Sequence, residues 1–281
     1  MSHDIVWVAS YPKSGNTWLR FLVYFLLHRN LSENSRDIDA FINSDLNDLG
    51  RSDGLAVKKT HASLDALGAY HKQTCAAAYI HRHPLDTLCS AMNYEILTAR
   101  PDIAAAPPPE RDAWRRHYVD GYLSHAGQEA WIASGRNYGT WTGNVAGWTQ
   151  GGAPFPILVL RYEDLLEAPS GQIARLARFL VENGVLDQDA GTQAVLVEAA
   201  LAATGFDRLR AFEDREIASA NAAGAALGRF SGESRRQAAA HGVRFFNKGQ
   251  TGQYHDLLTL AEIARGRDVF GALAARLGYE I

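Results

Sequence analysis

Cysteine is nearly absent from this chain: Cys75 and Cys89 are the only two in 281 residues. Two thiols supply neither a four-ligand metal site nor the disulfide framework of a small secreted domain, and they read as buried thiols in a reducing compartment. An excess of charge is missing too. A formal net charge of −3 offers no broad basic face for nucleic acid, though it leaves room for a local positive pocket around a small anion. Long apolar runs are also lacking. Trp18–Leu27 is the greasiest stretch, but Arg20 interrupts it, Arg29 follows it, and a membrane span needs about 20 apolar residues. No basic head, apolar core and cleavage site form a signal peptide. No internal repeat stands out and no shift in composition marks a boundary. These absences predict a cytoplasmic protein of one domain, residues 1–281, with no nucleic acid and no stable membrane insertion among its partners. They leave the oligomeric state open.

The chain does contain a regular alternation of short strands and helical stretches. Ile5–Ser10, Leu55–Lys59, Ala76–Ile80 and Phe155–Leu160 read as strands, and helical patterning follows at Trp18–Leu27, Arg111–Glu129, Trp141–Trp148, Gln172–Val181, Ala194–Ala202 and Leu257–Leu277. Such alternation predicts an α/β fold with a mostly parallel central sheet and helices on both faces. Thr98–Glu110 reads as a proline- and alanine-rich break. Asn221–Gly252, rich in glycine, serine and basic residues, reads as a long loop or lid.

Polar residues gather at the carboxyl ends of the strands, where open parallel sheets build their sites. After the first strand comes the turn Tyr11-Pro12-Lys13-Ser14-Gly15-Asn16-Thr17, which leads into a helix beginning near Trp18. A strand, a glycine turn and a helix N-terminus make an anion site, because unpaired N–H groups and the helix field both favour negative charge. Glycine permits close approach, and Lys13 adds a mobile point charge. A purely structural turn can contain the same residues. The order is not that of a triphosphate loop, whose lysine stands at the helix end behind a glycine. Lys59-Thr60-His61 ends the second strand. A histidine there can act as a general base near neutral pH, and a neighbouring lysine can neutralise developing negative charge. Arg82 follows the third strand, with Ser90 eight residues on, and Arg161-Tyr162-Glu163-Asp164 follows the fourth. His81 and His83 flank Arg82 but, without a carboxylate or cysteine set, read as packing or surface residues.

Tyr11–Trp18 resembles the 5′-phosphosulfate loop of the PAPS-dependent sulfotransferases, usually Tyr-Pro-Lys-Ser-Gly-Thr-Thr-Trp, and departs from it only at Asn16. The resemblance continues in order along the chain. Lys59-Thr60-His61 matches a segment whose histidine activates the acceptor hydroxyl. Arg82 and Ser90 match the pair that grips the 3′-phosphate. Tyr162 matches a tyrosine near the adenine, and Trp18 the tryptophan that stacks on it. Lys248, Gly249 and Gly252 keep part of a closing loop, Arg-Lys-Gly-x-x-Gly, in which Asn247 replaces the arginine; Arg244 is a nearby substitute. Trp141–Trp148 is similar to a Trp-x-x-Asn-Val-x-x-Trp helix of such enzymes. The resemblance implies PAPS as co-substrate, PAP as product, no metal, and a phosphosulfate loop on the α/β sheet. It assigns Lys13, Ser14, Gly15, Asn16, Thr17, Trp18, Arg82, Ser90, Tyr162, Lys248 and Gly249 to the nucleotide. His61, Lys13 and Lys59 become the catalytic residues, with His61 as base toward a small-molecule or natural-product hydroxyl.

Two rival functions are a nucleotide-dependent kinase and a non-catalytic PAP- or PAPS-binding regulator. The kinase lacks its usual triphosphate cradle, and His61 speaks against the regulator. Asp37–Asp53 and Pro101–Arg136, with Trp114, Tyr118, Tyr122 and Trp131, are the expected acceptor walls; they do not distinguish a phenol from a lipid-like alcohol or a bulky natural product.

Overall fold

A computed structural model of the protein describes residues 4–43, 55–187 and 193–281. In chain order the elements are β1 (Ile5–Ser10), α1 (Asn16–His28), α2 (Ser35–Phe41), β2 (Ala56–Thr60), a 3-10 segment (Asp65–Gln73), β3 (Thr74–His81) and α3 (Pro84–Thr98). Next come α4 (Pro101–Ala105), α5 (Pro108–Ser124), α6 (Glu129–Ala133), α7 (Trp141–Thr149), β4 (Ile157–Arg161), α8 (Tyr162–Glu167) and α9 (Pro169–Glu182). The last are α10 (Gln193–Thr204), α11 (Phe206–Ala223), α12 (Glu233–Ala240), α13 (Tyr254–Leu257) and α14 (Leu260–Arg276). The chain forms two compact units. One takes the chain up to Glu33, Asp37–Arg82 and Gly143–Gly205; the other takes Asn34–Arg36, His83–Thr142 and Phe206–Ile281. Each unit is drawn from three separated segments, so no single linker in the sequence marks them.

The first unit carries a parallel sheet in the order β2-β1-β3-β4. All six residues of β1 are buried, which is why this strand reads as a continuous apolar run rather than an alternating one. Ile5, Trp7 and Ala9 share one face with Ala77 and Tyr79, covered by Leu64, Leu67, Trp148 and Phe155. Val6 and Val8 alternate to the opposite face and are buried there, and the residues of α1 from Asn16 to Leu26 are all buried. Trp7 is fully buried, and its Nε1 donates to Thr74 Oγ1 at 2.9 Å. Left unbonded, that buried N–H would cost about 1–3 kcal/mol. Arg20, which breaks the apolar run of α1, is buried against the Asp39 carboxylate and the Ile38 carbonyl of α2. Pairing makes its burial tolerable.

In the second unit Asp86, in the first turn of α3, accepts from the backbone N–H groups of Gly252 (2.8 Å) and Tyr254 (3.2 Å). His83 stacks on Tyr254 with ring centroids 4.5 Å apart and bonds the Glu280 carbonyl through Nε2 at 3.0 Å. Its role is therefore packing. α14 starts at a reciprocal Thr259–Glu262 capping box.

Three sequence expectations need correcting. Thr98–Glu110 is not a simple break, because Pro101 and Pro108 each open a helix, where a missing N–H costs nothing. Asn221–Gly252 is not one long loop, because its first residues finish α11 and Glu233–Ala240 forms α12. Its remainder is also anchored. The Glu213 carboxylate accepts from Phe245 N (2.7 Å) and Phe246 N (2.9 Å), and Arg210 donates to the carbonyls of Phe246 and Asn247. The fourth strand begins at Ile157, not Phe155, which belongs to the core. Of the expected acceptor wall Asp37–Asp53, residues 44–53 lie outside the described residues.

Candidate active site

β1 delivers the chain to Ser10, and α1 begins at Asn16. Between them Lys13 and Gly15 adopt left-handed conformations, φ 69° and φ 107°. At Gly15 a β-carbon would meet the Tyr162 ring at 2.7 Å and Ile80 Cδ1 at 3.0 Å, so both the backbone angle and the space require glycine. At Lys13 the left-handed backbone costs about 1–2 kcal/mol, a strain of the kind that gathers at binding loops. Asn16 Nδ2 donates to the Val8 carbonyl at 3.1 Å and stitches the helix start onto its strand. No side chain caps α1 at Gly15. Its first N–H groups therefore face the turn without the usual side-chain acceptor. Ser14 is fully buried, and its Oγ has no hydrogen-bond partner among the described residues; Asn16 Oδ1 and Trp18 Nε1 also lack one there. An unsatisfied buried hydroxyl costs about 1–3 kcal/mol. A half-buried lysine, a buried donor hydroxyl and an uncapped helix start fit a bound phosphate or phosphosulfate group.

His61, just beyond β2, is half-buried. Its Nδ1 lies 2.8 Å from the Ser10 carbonyl and 3.2 Å from Ser10 Oγ. A carbonyl oxygen only accepts, so Nδ1 carries the proton and Nε2 is the basic nitrogen of the neutral ring. The histidine is thus oriented by the residue that opens the anion loop. Lys59 is half-buried in β2, level with Val8 of β1. Its neighbour Lys58 is buried, with Nζ 3.0 Å from Asn43 Oδ1.

Around Tyr162, at the start of α8, three expected nucleotide residues meet. Trp18 approaches edge-on, with centroids 5.6 Å apart and planes at 76°. The Arg82 guanidinium lies 4.3 Å over the Tyr162 ring, a cation–π geometry. Gly15 packs against the same ring. Arg161 reaches Glu163 at 3.6 Å and Asp164 at 3.9 Å, which holds the strand-to-helix turn. His81, paired in register with Arg161, is buried. Burial foremost, and the Arg161 charge second, lower its pKa to about 4, so it stays neutral.

Thr17 is buried in the first turn of α1, whereas Ser90, Lys248, Gly249 and Arg244 lie in the second unit. Ser90 is half-buried on α3. Lys248 Nζ lies 3.5 Å from Asp256 Oδ2, and Gly249 packs tightly on the Phe206 ring. Arg244 is committed to Asp214 at 2.7 Å and to the Ala239 carbonyl at 2.6 Å. Arg210, on α11, donates to the Asn247 carbonyl at 2.8 Å.

Sequence reading passed over Ser10, whose carbonyl fixes the tautomer of His61. The resemblance marks the Trp141–Trp148 segment without assigning its residues a role. Yet Asn144 Nδ2 donates to the His61 carbonyl at 2.9 Å, and Trp148 Nε1 to the Ala62 carbonyl at 3.0 Å. The available signal was the spacing, since residues four apart share a helix face.

The model of the sulfotransferase domain family matches residues 3–278 and so runs through both units. Dog sulfotransferase 1B1 is 26% identical over 194 residues, covering 64% of this chain and 60% of the relative. Cytosolic sulfotransferase 11 of Arabidopsis thaliana is 27% identical over 63% of this chain and 51% of its own length. These alignments span little more than half of each relative. Among solved structures, the mouse sulfotransferase SULT7A1 complexed with PAP superposes with a TM-score of 0.64 at 18% identity, over 98% of this chain and 86% of that one. A retinol dehydratase in complex with androsterone and PAP gives the same TM-score at 17% identity, over 98% and 81%. The fold is the parallel α/β fold of these proteins. The chain belongs to the sulfotransferase family.

Proposed function

We propose that this protein is a PAPS-dependent sulfotransferase that modifies a hydroxyl of a small-molecule acceptor, with His61 as general base. The observation that carries the reading is the His61 Nδ1 bond to the Ser10 carbonyl, 2.8 Å. It leaves Nε2 basic, in a ring tethered to the residue preceding the anion loop. Bound PAPS would supply the sulfuryl group and a phosphate leaving group.

His61 Nε2 takes the proton from the acceptor hydroxyl as that oxygen becomes nucleophilic. Lys13, the Ser14 hydroxyl and the first N–H groups of α1 hold the 5′-phosphosulfate and offset charge on the departing phosphate. Lys59 neutralises charge on the transferring group. By resemblance, Trp18 and Tyr162 serve the adenine, and Arg82, Ser90, Lys248 and Gly249 the 3′-phosphate. Positioning and fixed positive charge supply the catalysis, as in phosphoryl transfer. The cytosolic relatives support a cytoplasmic location, which cell fractionation tests.

The first test is calorimetric titration with PAP, and with ATP as control, without added metal. Tight PAP and weak ATP binding are expected, followed by turnover of PAPS with a panel of phenols and alcohols. ATP binding without PAP binding would instead favour a kinase, and PAP binding without turnover of any acceptor a regulatory protein.

A further inference from the structure

We propose that Asn144, oriented by Tyr79, is a positioning residue that fixes the tautomer and aim of His61; this rests on the reading of His61 as the base.

Asn144 and Tyr79 are both fully buried. Asn144 Nδ2 donates to the His61 carbonyl at 2.9 Å, and Asn144 Oδ1 accepts from the Tyr79 hydroxyl at 2.9 Å. The direction of both bonds is forced. A carbonyl cannot donate, so the amide NH2 must face residue 61; the amide oxygen then faces Tyr79, whose hydroxyl must be the donor. Burial raises the Tyr79 phenol well above its ordinary range, which keeps that donor protonated at any working pH.

One helical turn further on, Trp148 repeats the grip. Its Nε1 donates to the Ala62 carbonyl at 3.0 Å, and its ring stacks on Tyr79 with centroids 5.2 Å apart and planes at 12°. Ala62 N donates in turn to Thr60 Oγ1 at 3.0 Å. Two successive carbonyls, those of the base and of its neighbour, are thus held from one face of α7. With the backbone fixed there, the imidazole keeps only its two side-chain rotations, and the Nδ1 bond to Ser10 selects among them. Loosening the backbone would let the ring leave Ser10, and the proton would then divide between the two ring nitrogens. A displacement of about 1 Å in such a group can cost on the order of 100-fold in rate.

The test compares wild type, Asn144→Leu and Tyr79→Phe. Nitrogen-15 histidine NMR, with His61 assigned through His61→Gln, reads the tautomer in the ligand-free protein. Wild type should show a protonated Nδ1 and a bare Nε2, and both variants a mixed tautomer. Calorimetry with PAP should give affinities within about two-fold of wild type, the scatter of uncoupled sites. With PAPS and 4-nitrophenol, kcat should fall about ten-fold or more while KM for PAPS holds. Tyr79→Phe removes one oxygen and keeps the ring, so it remains informative if Asn144→Leu does not fold. A folded Tyr79→Phe protein with the wild-type His61 tautomer and an unchanged kcat overturns the proposal. Failure of wild type to sulfonate any acceptor counts against the transferase reading alone, since the tautomer comparison needs no turnover.

Discussion

Gly15 and Tyr162 are fitted to each other so closely that a β-carbon on the glycine would stand 2.7 Å from Cδ2 of the ring. The ring also carries the Arg82 guanidinium on its face, 4.3 Å from the centroid. Gly15→Ala therefore strains the backbone at φ 107° and pushes Tyr162 away from Arg82. The expected cost is about 1–3 kcal/mol of stability, read by denaturant unfolding, with a loss of PAP affinity beyond it. Wild-type PAP affinity in this variant would remove the turn from the nucleotide site.

Lys13→Ala should weaken PAP binding about 10- to 100-fold, the worth of a charge-assisted hydrogen bond, with little change in melting temperature. The half-buried side chain contributes little core, so calorimetry and thermal unfolding should separate. Equal losses in both would mark the lysine as structural.

His61→Gln should lower kcat by about 10²–10⁴-fold while PAP affinity stays. Glutamine can still donate to the Ser10 carbonyl but supplies no base. A turnover near wild type, measured with PAPS at saturation, would transfer the proton to another group.

His81 gives the stability of the protein an acid dependence unrelated to catalysis. Its folded pKa is about 4, against 6.5 in an unperturbed chain, because burial and then Arg161 oppose the imidazolium. Between those values the unfolded chain binds a proton that the folded chain refuses. This contribution is complete above pH 6.5 and is lost as pH falls toward 4, by roughly 3 kcal/mol in all. His81→Gln should flatten the fall in melting temperature between pH 7 and 4.5. An unchanged acid slope would assign it to other groups.

The strands and the anion turn were legible because their signals are local. A buried strand is a run of apolar residues, and the turn needs glycine at 15 because of its own backbone. The helix starts at Pro101 and Pro108 read as a break in the sequence, since proline marks both an ending and a first helical turn. The 3-10 segment went unseen because it bends at Gly68, φ 50°, and has no helical periodicity of its own. The part of the site that escaped is the support of His61. Ser10 and Asn144 lie 51 and 83 residues from it, and neither distance leaves a pattern in a local window.

Those separations also order events in time. The stitch from Asn16 to Val8 spans 8 residues, whereas the bond that holds the base spans 83. Longer loops close at greater entropic cost, and contacts remote in sequence slow folding. A refolding chain can therefore regain the Lys13–Gly15 turn before α7 has returned to hold the His61 backbone.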